Sequence, residues 1–313
     1  MTANPDRLRI GIDLGGTKIA AIALGRGGTG GDTAGDIVLA ERRVATPRGD
    51  YAGTLGAIAG LVGSVEAALG RVATVGIGMP GAIAPETGFV RNANSTWLNG
   101  RPFAADAEAA LGRPVRVEND ANCLAVSEAA DGAGAGLDVV WAVILGTGVG
   151  SGIAVGGRPL PGRHRIAGEW GHTPLPAPRD DERPGPACYC GRRGCLETWL
   201  SGPGLAADHA RRTGAARVRA EEIVAGMRAG DPEAAASFEA WIDRLGRGVA
   251  GIVNVLDPDA IVLGGGLSEV EEVTARLPAA MAPHVFCDRV SVPVRRSRHG
   301  AASGVRSAAR LWP

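Results

Sequence analysis

Residues Leu8 to Leu24 read LRIGIDLGGTKIAAIAL, and this stretch carries the strongest indication of the fold. Apolar residues alternate up to Leu14, two glycines interrupt them, and an apolar run then resumes. Two β-rich runs on either side of a glycine turn are typical of a β-hairpin. The pattern returns at Val139–Val155, which read VVWAVILGTGVGSGIAV. A weak internal repeat of this kind indicates two related α/β halves.

The rest of the chain alternates between strand and helix patterns, which implies an α/β fold. Strands are predicted at Ile37–Ala45, Thr74–Met79, Val115–Val117 and Asp259–Leu263, and helices at Tyr51–Leu69, Phe103–Leu111, Ala121–Ala130, Gly204–Thr213, Pro232–Leu256 and from about Ser268. The stretch Pro174–Pro186 is dense in proline and charge and is predicted to lack regular structure.

Length and composition limit the class of protein. A chain of 313 residues can bury a sizeable core and suggests two domains. Its 33 basic and 33 acidic residues balance, and the absence of a basic stripe argues against a nucleic-acid or anionic-membrane partner. The sequence shows no uninterrupted apolar run of the roughly 18 residues that a membrane span needs, and the polar N-terminus is unlike a secretory signal. Five cysteines, an odd number, favour a reducing cytosol.

The segment from Gly168 to Glu197 predicts a metal site. One histidine and three cysteines are the ligand set of a closed, structural Zn²⁺ site, and they are His172, Cys188, Cys190 and Cys195. The alternative is that the cysteines are buried as small hydrophobic residues. Glu169 and Glu197 flank the set, so a zinc-braced loop would carry two carboxylates as a recognition platform.

Three glycine-rich turns follow apolar strands and are candidates for binding phosphate. They comprise Gly15, Gly16, Thr17 and Lys18; Gly146, Thr147 and Gly148; and Gly264, Gly265 and Gly266. Glycine lets backbone N–H groups approach phosphate oxygens closely, although an ordinary structural turn is the alternative for each. None has the Walker A spacing.

Two charged residues at the first turn are further candidates. Asp13 is placed to reach a phosphate-bound Mg²⁺ through water, or to stabilise the turn as an Asx residue. Lys18 is the only lysine in the chain. A compact ammonium differs from the planar guanidinium of arginine, so Lys18 indicates a phosphate contact, unless it survives by chance.

Asp120 is the candidate general base, because phosphoryl transfer to an alcohol needs a group that accepts the hydroxyl proton. It lies between a strand and a helix, so an N-cap role is an equal alternative. Asn119 and Asn122 beside it favour a ligand. Asn92, Asn94 and Asn99 surround Trp97, and their amides suit sugar hydroxyls, or form a solvated loop.

Taken together, these motifs resemble the ROK (repressor, open reading frame, kinase) sugar kinases over nearly the whole chain. Residues Asn92–Gly100 and the ending Gly304–Pro313 resemble the bacterial fructokinases of that family. The resemblance implies an actin-like (hexokinase-type) α/β fold, with two domains around a cleft and a zinc-stapled loop. A small domain would span residues 1–118, joined by a C-terminal helix at 300–313, and a large domain 119–299. Only about seven residues precede the first strand, which argues against the family's helix-turn-helix repressors.

The resemblance also implies an activity, namely ATP- and Mg²⁺-dependent phosphorylation of a free hexose at its 6-hydroxyl, with D-fructose as the expected substrate. N-acetylglucosamine, glucose and mannose are alternatives within the family, and a non-catalytic sugar-sensing regulator is a distant one. A cytosolic homodimer is expected.

The roles that the resemblance implies for single residues are as follows. Asp120 would be the base, the first two glycine turns would hold the ATP phosphates, and Gly264–Gly266 would line the nucleotide pocket. His172 would serve twice, with one ring nitrogen on zinc and the other on a sugar hydroxyl. The residues implied around the sugar are Asn94, Asn119, Asp120, Glu169, His172 and Glu197.

Overall fold

Two five-stranded mixed sheets form the frame of the computed structural model, which describes residues 8–26, 36–216, 218–300 and 303–312. The first sheet contains β1 Arg9–Leu14, β2 Lys18–Arg26, β3 Asp36–Ala45, β4 Thr74–Met79 and β7 Val115–Asn119, and a separate small hairpin consists of β5 Ala82–Ile83 and β6 Val90–Arg91. The second sheet contains β8 Val139–Leu145, β9 Val149–Val155, β10 Arg158–Pro159, β11 Ala260–Gly264 and β12 Val294–Arg296. The strand order is β3-β2-β1-β4-β7 in the first sheet and β10-β9-β8-β11-β12 in the second.

The two halves predicted from the repeat are confirmed by strand pairing. In the first half the antiparallel hairpin β1–β2 is extended by β4, which runs parallel to β1. In the second half the antiparallel hairpin β8–β9 is extended by β11, which runs parallel to β8. Both hairpins therefore present their glycine turns at corresponding positions of two similar sheets.

The helices cover these sheets, at bounds close to those predicted. They are α1 Tyr51–Leu69, α2 Phe103–Leu111, α3 Asp120–Asp131, α4 Glu197–Leu200, α5 Gly202–Thr213, α6 Ala220–Arg228, α7 Pro232–Leu256, α8 Glu271–Met281 and α9 Ser303–Arg310. α7 begins where predicted because Asp231 accepts hydrogen bonds from the Glu233 and Ala234 N–H groups. The helix expected from Ser268 starts later, since a 3₁₀ turn at Gly266–Glu269 precedes α8.

α1 meets the length and composition of a membrane span, with 19 residues and a mean hydropathy of 1.5, which departs from the expectation that no segment would. The core helix of a soluble protein passes the same test. In this chain α1 buries Ile58, Leu61 and Val65 in the hydrophobic core of the first half. Its Glu66 lies 2.8 Å from the guanidinium of Arg113, which follows α2.

α9 lies near the end of the chain and returns it to the first sheet. It packs on β1, β4 and α3. The approach is so close that a Cβ on Gly76 of β4 would lie 1.8 Å from the Ala308 carbonyl oxygen. Only glycine at that position allows this contact between helix and sheet.

The Pro174–Pro186 stretch has little regular secondary structure, as predicted, but specific contacts hold it in place. It contains a 3₁₀ turn at Asp180–Glu182, and the Glu182 side chain is buried. Its carboxylate accepts hydrogen bonds from Arg244 (2.8 Å) and Arg247 (2.7 Å), which belong to α7. Ion pairing thus fixes a segment whose composition alone suggests a free loop.

Candidate active site and metal centre

The first glycine turn is held from outside by the segment after β3. Thr46 Oγ1 donates to the Gly15 carbonyl at 2.7 Å, and Arg48 Nε donates to the Gly16 carbonyl at 2.8 Å. The Gly15 N–H is used within the turn, where it donates to the Lys18 carbonyl. Lys18 is exposed, and its charge acts on Asp13, whose pKa is raised by burial and partly lowered again by that ammonium. The turn is therefore a fixed loop beside two cations.

The second and third turns share a cavity of about 750 Å³. Gly146, Thr147 and Gly266 line it, together with residues of α5, α6 and the 3₁₀ turn before α8. The predicted residues Gly148, Gly264 and Gly265 are not in this lining, and neither is the first turn. A cleft of this size, open at the glycine turns, suits a nucleotide.

Asn119, and not Asp120, caps α3, which corrects the N-cap alternative for Asp120. The Asn119 Oδ1 atom accepts from the Ala121 and Asn122 N–H groups, and its Nδ2 donates to the Gly81 carbonyl. The Asn119 side chain thus holds the strand–helix junction, and its contact with a sugar stays a prediction. Asp120 occupies the first helical position.

Asp120 carries the electrostatic signature of a base. Its pKa is raised from 3.8 to about 6, chiefly because burial removes water from the carboxylate and also because of the negative charges of Asp13 and Glu169. Three predicted site residues from separate segments therefore meet. A base with a pKa near neutrality is effective in proton transfer at cellular pH.

The four predicted metal ligands converge, since their ligand atoms all lie within 4.8 Å of one another. The Cys190 and Cys195 sulfurs are 3.6 Å apart, and the Cys188 sulfur lies 3.6 Å from His172 Nδ1. A tetrahedron with Zn–S bonds of about 2.3 Å has edges of about 3.8 Å. The donor set and its spacing therefore fit a closed zinc site.

Glu197 ties the cysteine loop to the second glycine turn. Its Oε2 atom accepts from the Val149 N–H at 2.9 Å. A Cβ on Gly148 would lie 2.8 Å from the same oxygen. One of the two carboxylates predicted to meet a sugar is thus fixed beside the second glycine turn, and its Oε1 atom makes no hydrogen bond to the residues that the structure describes.

The second ring nitrogen of His172 has a partner that the sequence did not suggest. His172 Nε2 lies 2.9 Å from the hydroxyl of Tyr189, and the two rings meet edge to face at 5.1 Å. Tyr189 is 82% exposed. Burial of its hydroxyl raises the pKa of Tyr189, and the negative charges of Glu197 and Glu169 raise it further. Tyr189 therefore belongs to the same cluster as the predicted sugar ligands.

The Asn92–Gly100 segment is ordered and not a solvated loop. Asn99 exchanges two hydrogen bonds of 2.9 Å with the backbone of Ala93, and Trp97 Nε1 donates to Thr54 Oγ1. Asn94 is exposed, and its side chain has no hydrogen bond within the described ranges. Ser95 lies against Gly16 of the first turn. Asn94 therefore stays available to a ligand, as does the exposed Asn92, whose side chain also has no hydrogen bond to the described residues.

Sequence reasoning missed Arg48, Tyr189 and the cavity wall of α5 and α6. Arg48 belongs to no recognisable motif. Tyr189 stands between two predicted ligands, and that position was the only signal. The wall comes from segments remote in sequence, so only tertiary packing brings it to the glycine turns.

The model of the ROK family matches residues 9–313. N-acetyl-D-glucosamine kinases from Shigella boydii serotype 4 (strain Sb227) and Shigella flexneri are 38% identical over 307 residues, covering 96% of this chain and 98% of each relative.

Solved structures agree with this match. A ROK hexokinase from Thermus thermophilus has a TM-score of 0.84 at 32% identity, covering 96% of both chains. A ROK family glucokinase from Streptomyces griseus, in complex with glucose and AMPPNP, has a TM-score of 0.75 at 31% identity, covering 97% of this chain and 98% of that one.

Proposed function

Because the chain belongs to the ROK family, we propose that it transfers the γ-phosphoryl group of ATP to the 6-hydroxyl of a free hexose. The chain is a sugar kinase with the actin-like fold of that family. The observation that carries the proposal is the environment of Asp120. Burial and the charges of Asp13 and Glu169 make its carboxylate a stronger base, and the hydrogen bond that it accepts from the Ala121 N–H only partly offsets this.

In the proposed reaction the 6-hydroxyl oxygen attacks the γ-phosphorus as its proton passes to the Asp120 carboxylate. The bond from the γ-phosphorus to the β–γ bridging oxygen breaks, and ADP leaves with that electron pair. Little covalent chemistry falls to the protein, so catalysis comes mainly from positioning and from neutralising charge. Gly146, Thr147 and Gly266 would hold the nucleotide in the 750 Å³ cavity.

Cations at the first glycine turn would face the transferred phosphate. Lys18 is exposed there, and Arg48 keeps free N–H groups while its Nε holds the Gly16 carbonyl. Arg48 forms no ion pair in the part of the chain that the structure describes. Asp13 is the carboxylate suited to a Mg²⁺ ion on the phosphates, where Mg²⁺ would neutralise developing charge.

We assign the Cys₃His set to a structural zinc ion. Such an ion would brace the loop and contribute folding free energy, and it would take no part in the chemical step. Glu169 and Glu197 lie on either side of this set, so bracing it would fix the carboxylates around the sugar.

Two hexoses compete as the preferred substrate. D-fructose is favoured by the resemblance of Asn92–Gly100 to bacterial fructokinases, in a segment that leaves Asn94 exposed beside the first turn. N-acetyl-D-glucosamine is favoured by the names of the relatives that share 38% identity. The carboxylates and His172 would serve either sugar, so they do not discriminate. We propose D-fructose, with N-acetyl-D-glucosamine as the second candidate.

A coupled assay of ADP release decides between them. Fructose, N-acetylglucosamine, glucose and mannose would be compared by kcat/KM. The highest value for fructose supports the first candidate, and the highest value for N-acetylglucosamine replaces it while leaving the kinase proposal intact. A lack of ADP release with every hexose contradicts the kinase proposal and favours a non-catalytic regulator.

The larger organisation is proposed from the same family. Residues 1–118, with the C-terminal segment 300–313, would close against residues 119–299 over the cleft. This agrees with the packing of α9 on the first sheet. We further propose a cytosolic homodimer.

A further inference from the structure

Tyr189 combines high exposure with a specific hydrogen bond. The residue lies between Cys188 and Cys190, and 82% of it is exposed. Its hydroxyl nevertheless lies 2.9 Å from His172 Nε2, with the rings at 88° to each other. Exposed side chains gain little from a single fixed geometry, because water competes for the same hydrogen bond.

The two nitrogens of His172 are divided between two neighbours. Nδ1 faces the Cys188 sulfur at 3.6 Å, inside the cysteine cluster. Nε2 is on the opposite side of the ring, where it shares a hydrogen bond with the hydroxyl of Tyr189. Glu169 and Glu197 lie near the same phenol. The tyrosine therefore stands where a polar ligand would meet these three side chains.

We propose that the Tyr189 hydroxyl holds the place of a hexose hydroxyl on His172 Nε2 and leaves it when the sugar binds. The inference rests on the proposed function, which puts the sugar beside His172. A phenol and a sugar hydroxyl have the same hydrogen-bonding chemistry, one O–H donor and acceptor lone pairs. Because Tyr189 is exposed, its side chain can rotate into solvent without opening the hydrophobic core.

If the Tyr189 hydroxyl competes with the hexose for His172 Nε2, removing that hydroxyl should strengthen hexose binding. Tyr189→Phe keeps the ring and removes the competing hydroxyl, so the hexose no longer displaces a hydrogen bond. One neutral hydrogen bond corresponds to roughly 2- to 10-fold in affinity. We expect the KM for hexose to fall by that factor, with kcat and the KM for ATP unchanged.

The chain offers a matched control, since it contains only two tyrosines. Tyr51 also makes a hydroxyl hydrogen bond, of 2.6 Å to Asp106 Oδ2, but it lies on α1. Protein labelled with 3-fluorotyrosine should give two ¹⁹F signals, which Tyr51→Phe and Tyr189→Phe assign. Saturation with D-fructose or N-acetyl-D-glucosamine should move the Tyr189 signal and leave the Tyr51 signal in place.

Each outcome is decisive once calorimetry has measured hexose binding on the same samples. Sugar binding with an unmoved Tyr189 signal overturns the inference and leaves the proposed function standing. Tyr189→Phe protein that melts like the wild type but binds hexose equally or more weakly also overturns it. Failure of every hexose to bind overturns both.

Discussion

The Glu197 carboxylate accepts a hydrogen bond of 2.9 Å from the Val149 N–H. Glu197 begins α4, two residues after Cys195, whereas Val149 begins β9 directly after the second glycine turn. This bond therefore connects the cysteine loop to the proposed phosphate site. A metal ion bound by the cysteine loop would therefore stabilise the positions of both the loop and the second glycine turn.

Replacing Asp120 by Asn should lower kcat by roughly 10²- to 10⁴-fold, because the variant keeps the shape of the residue and loses the proton acceptor. Hexose binding, measured by calorimetry, should survive in part. Asp106→Asn, a change on α2, serves as the control and should turn over normally. Near wild-type turnover of Asp120→Asn contradicts the base assignment.

The pH dependence follows from the raised pKa of Asp120, which is about 6. A base works only when deprotonated, so kcat/KM for the hexose should fall about tenfold per pH unit below pH 6. An ordinary aspartate would keep its activity down to about pH 4. A profile that stays flat from pH 7 to pH 5 is inconsistent with this environment of Asp120.

Metal content tests the cysteine cluster directly. The purified protein should contain about one zinc ion per chain. Cys190→Ser should lose zinc and weaken hexose binding together, because the loop that carries the carboxylates would no longer be braced. Cys287→Ser changes an exposed cysteine outside the cluster and should affect neither property. Normal hexose affinity in zinc-free protein counts against the bracing role.

Lys18→Arg should raise the KM for ATP more than the KM for hexose, although the charge is kept. A planar guanidinium does not replace a compact ammonium at a phosphate contact. Arg43→Lys, on the exposed strand β3, is the reciprocal control and should leave both constants unchanged. An unaltered KM for ATP in Lys18→Arg would mean that the lone lysine is accidental.

Glu182→Gln should destabilise the protein by about 1.5–3 kcal/mol in denaturant unfolding, because Arg244 and Arg247 lose their charged hydrogen bonds to Glu182. Each of these buried guanidinium groups keeps a second carboxylate, Asp208 for Arg244 and Asp243 for Arg247. Burial alone would raise the pKa of Glu182, but Arg247, the Arg179 N–H and Arg244 lower it to about 2. Its contribution is therefore complete above the unfolded pKa of about 4.3 and disappears as the pH falls toward 2. Asp181→Asn, at an exposed neighbour, should change stability by less than about 0.5 kcal/mol.

Local pattern was enough to predict the helices and strands around the active site. The helix Pro232–Leu256 and the strand Thr74–Met79 have the predicted bounds, because the signals that set them lie within or next to each segment. These signals are the Asp231 cap for the helix and a continuous buried run for the strand. The contacts that fix the Pro174–Pro186 stretch were not predicted, since they come from arginines of α7 about 60 residues later. Composition does not reveal a partner that is remote in sequence.

Local motifs were enough to predict the hairpin repeat, the Cys₃His set and Asp120 as a candidate base, because each depends on residue types and spacings within short stretches of the chain. Tertiary packing was needed to show that Asn119 caps α3 and that Asp120, which accepts the Ala121 N–H, is buried near two acidic residues. It also decided that Tyr189 meets His172 and that Arg48 holds the first turn. These relationships depend on where side chains from separate segments meet, and that is fixed by packing and burial of the whole chain.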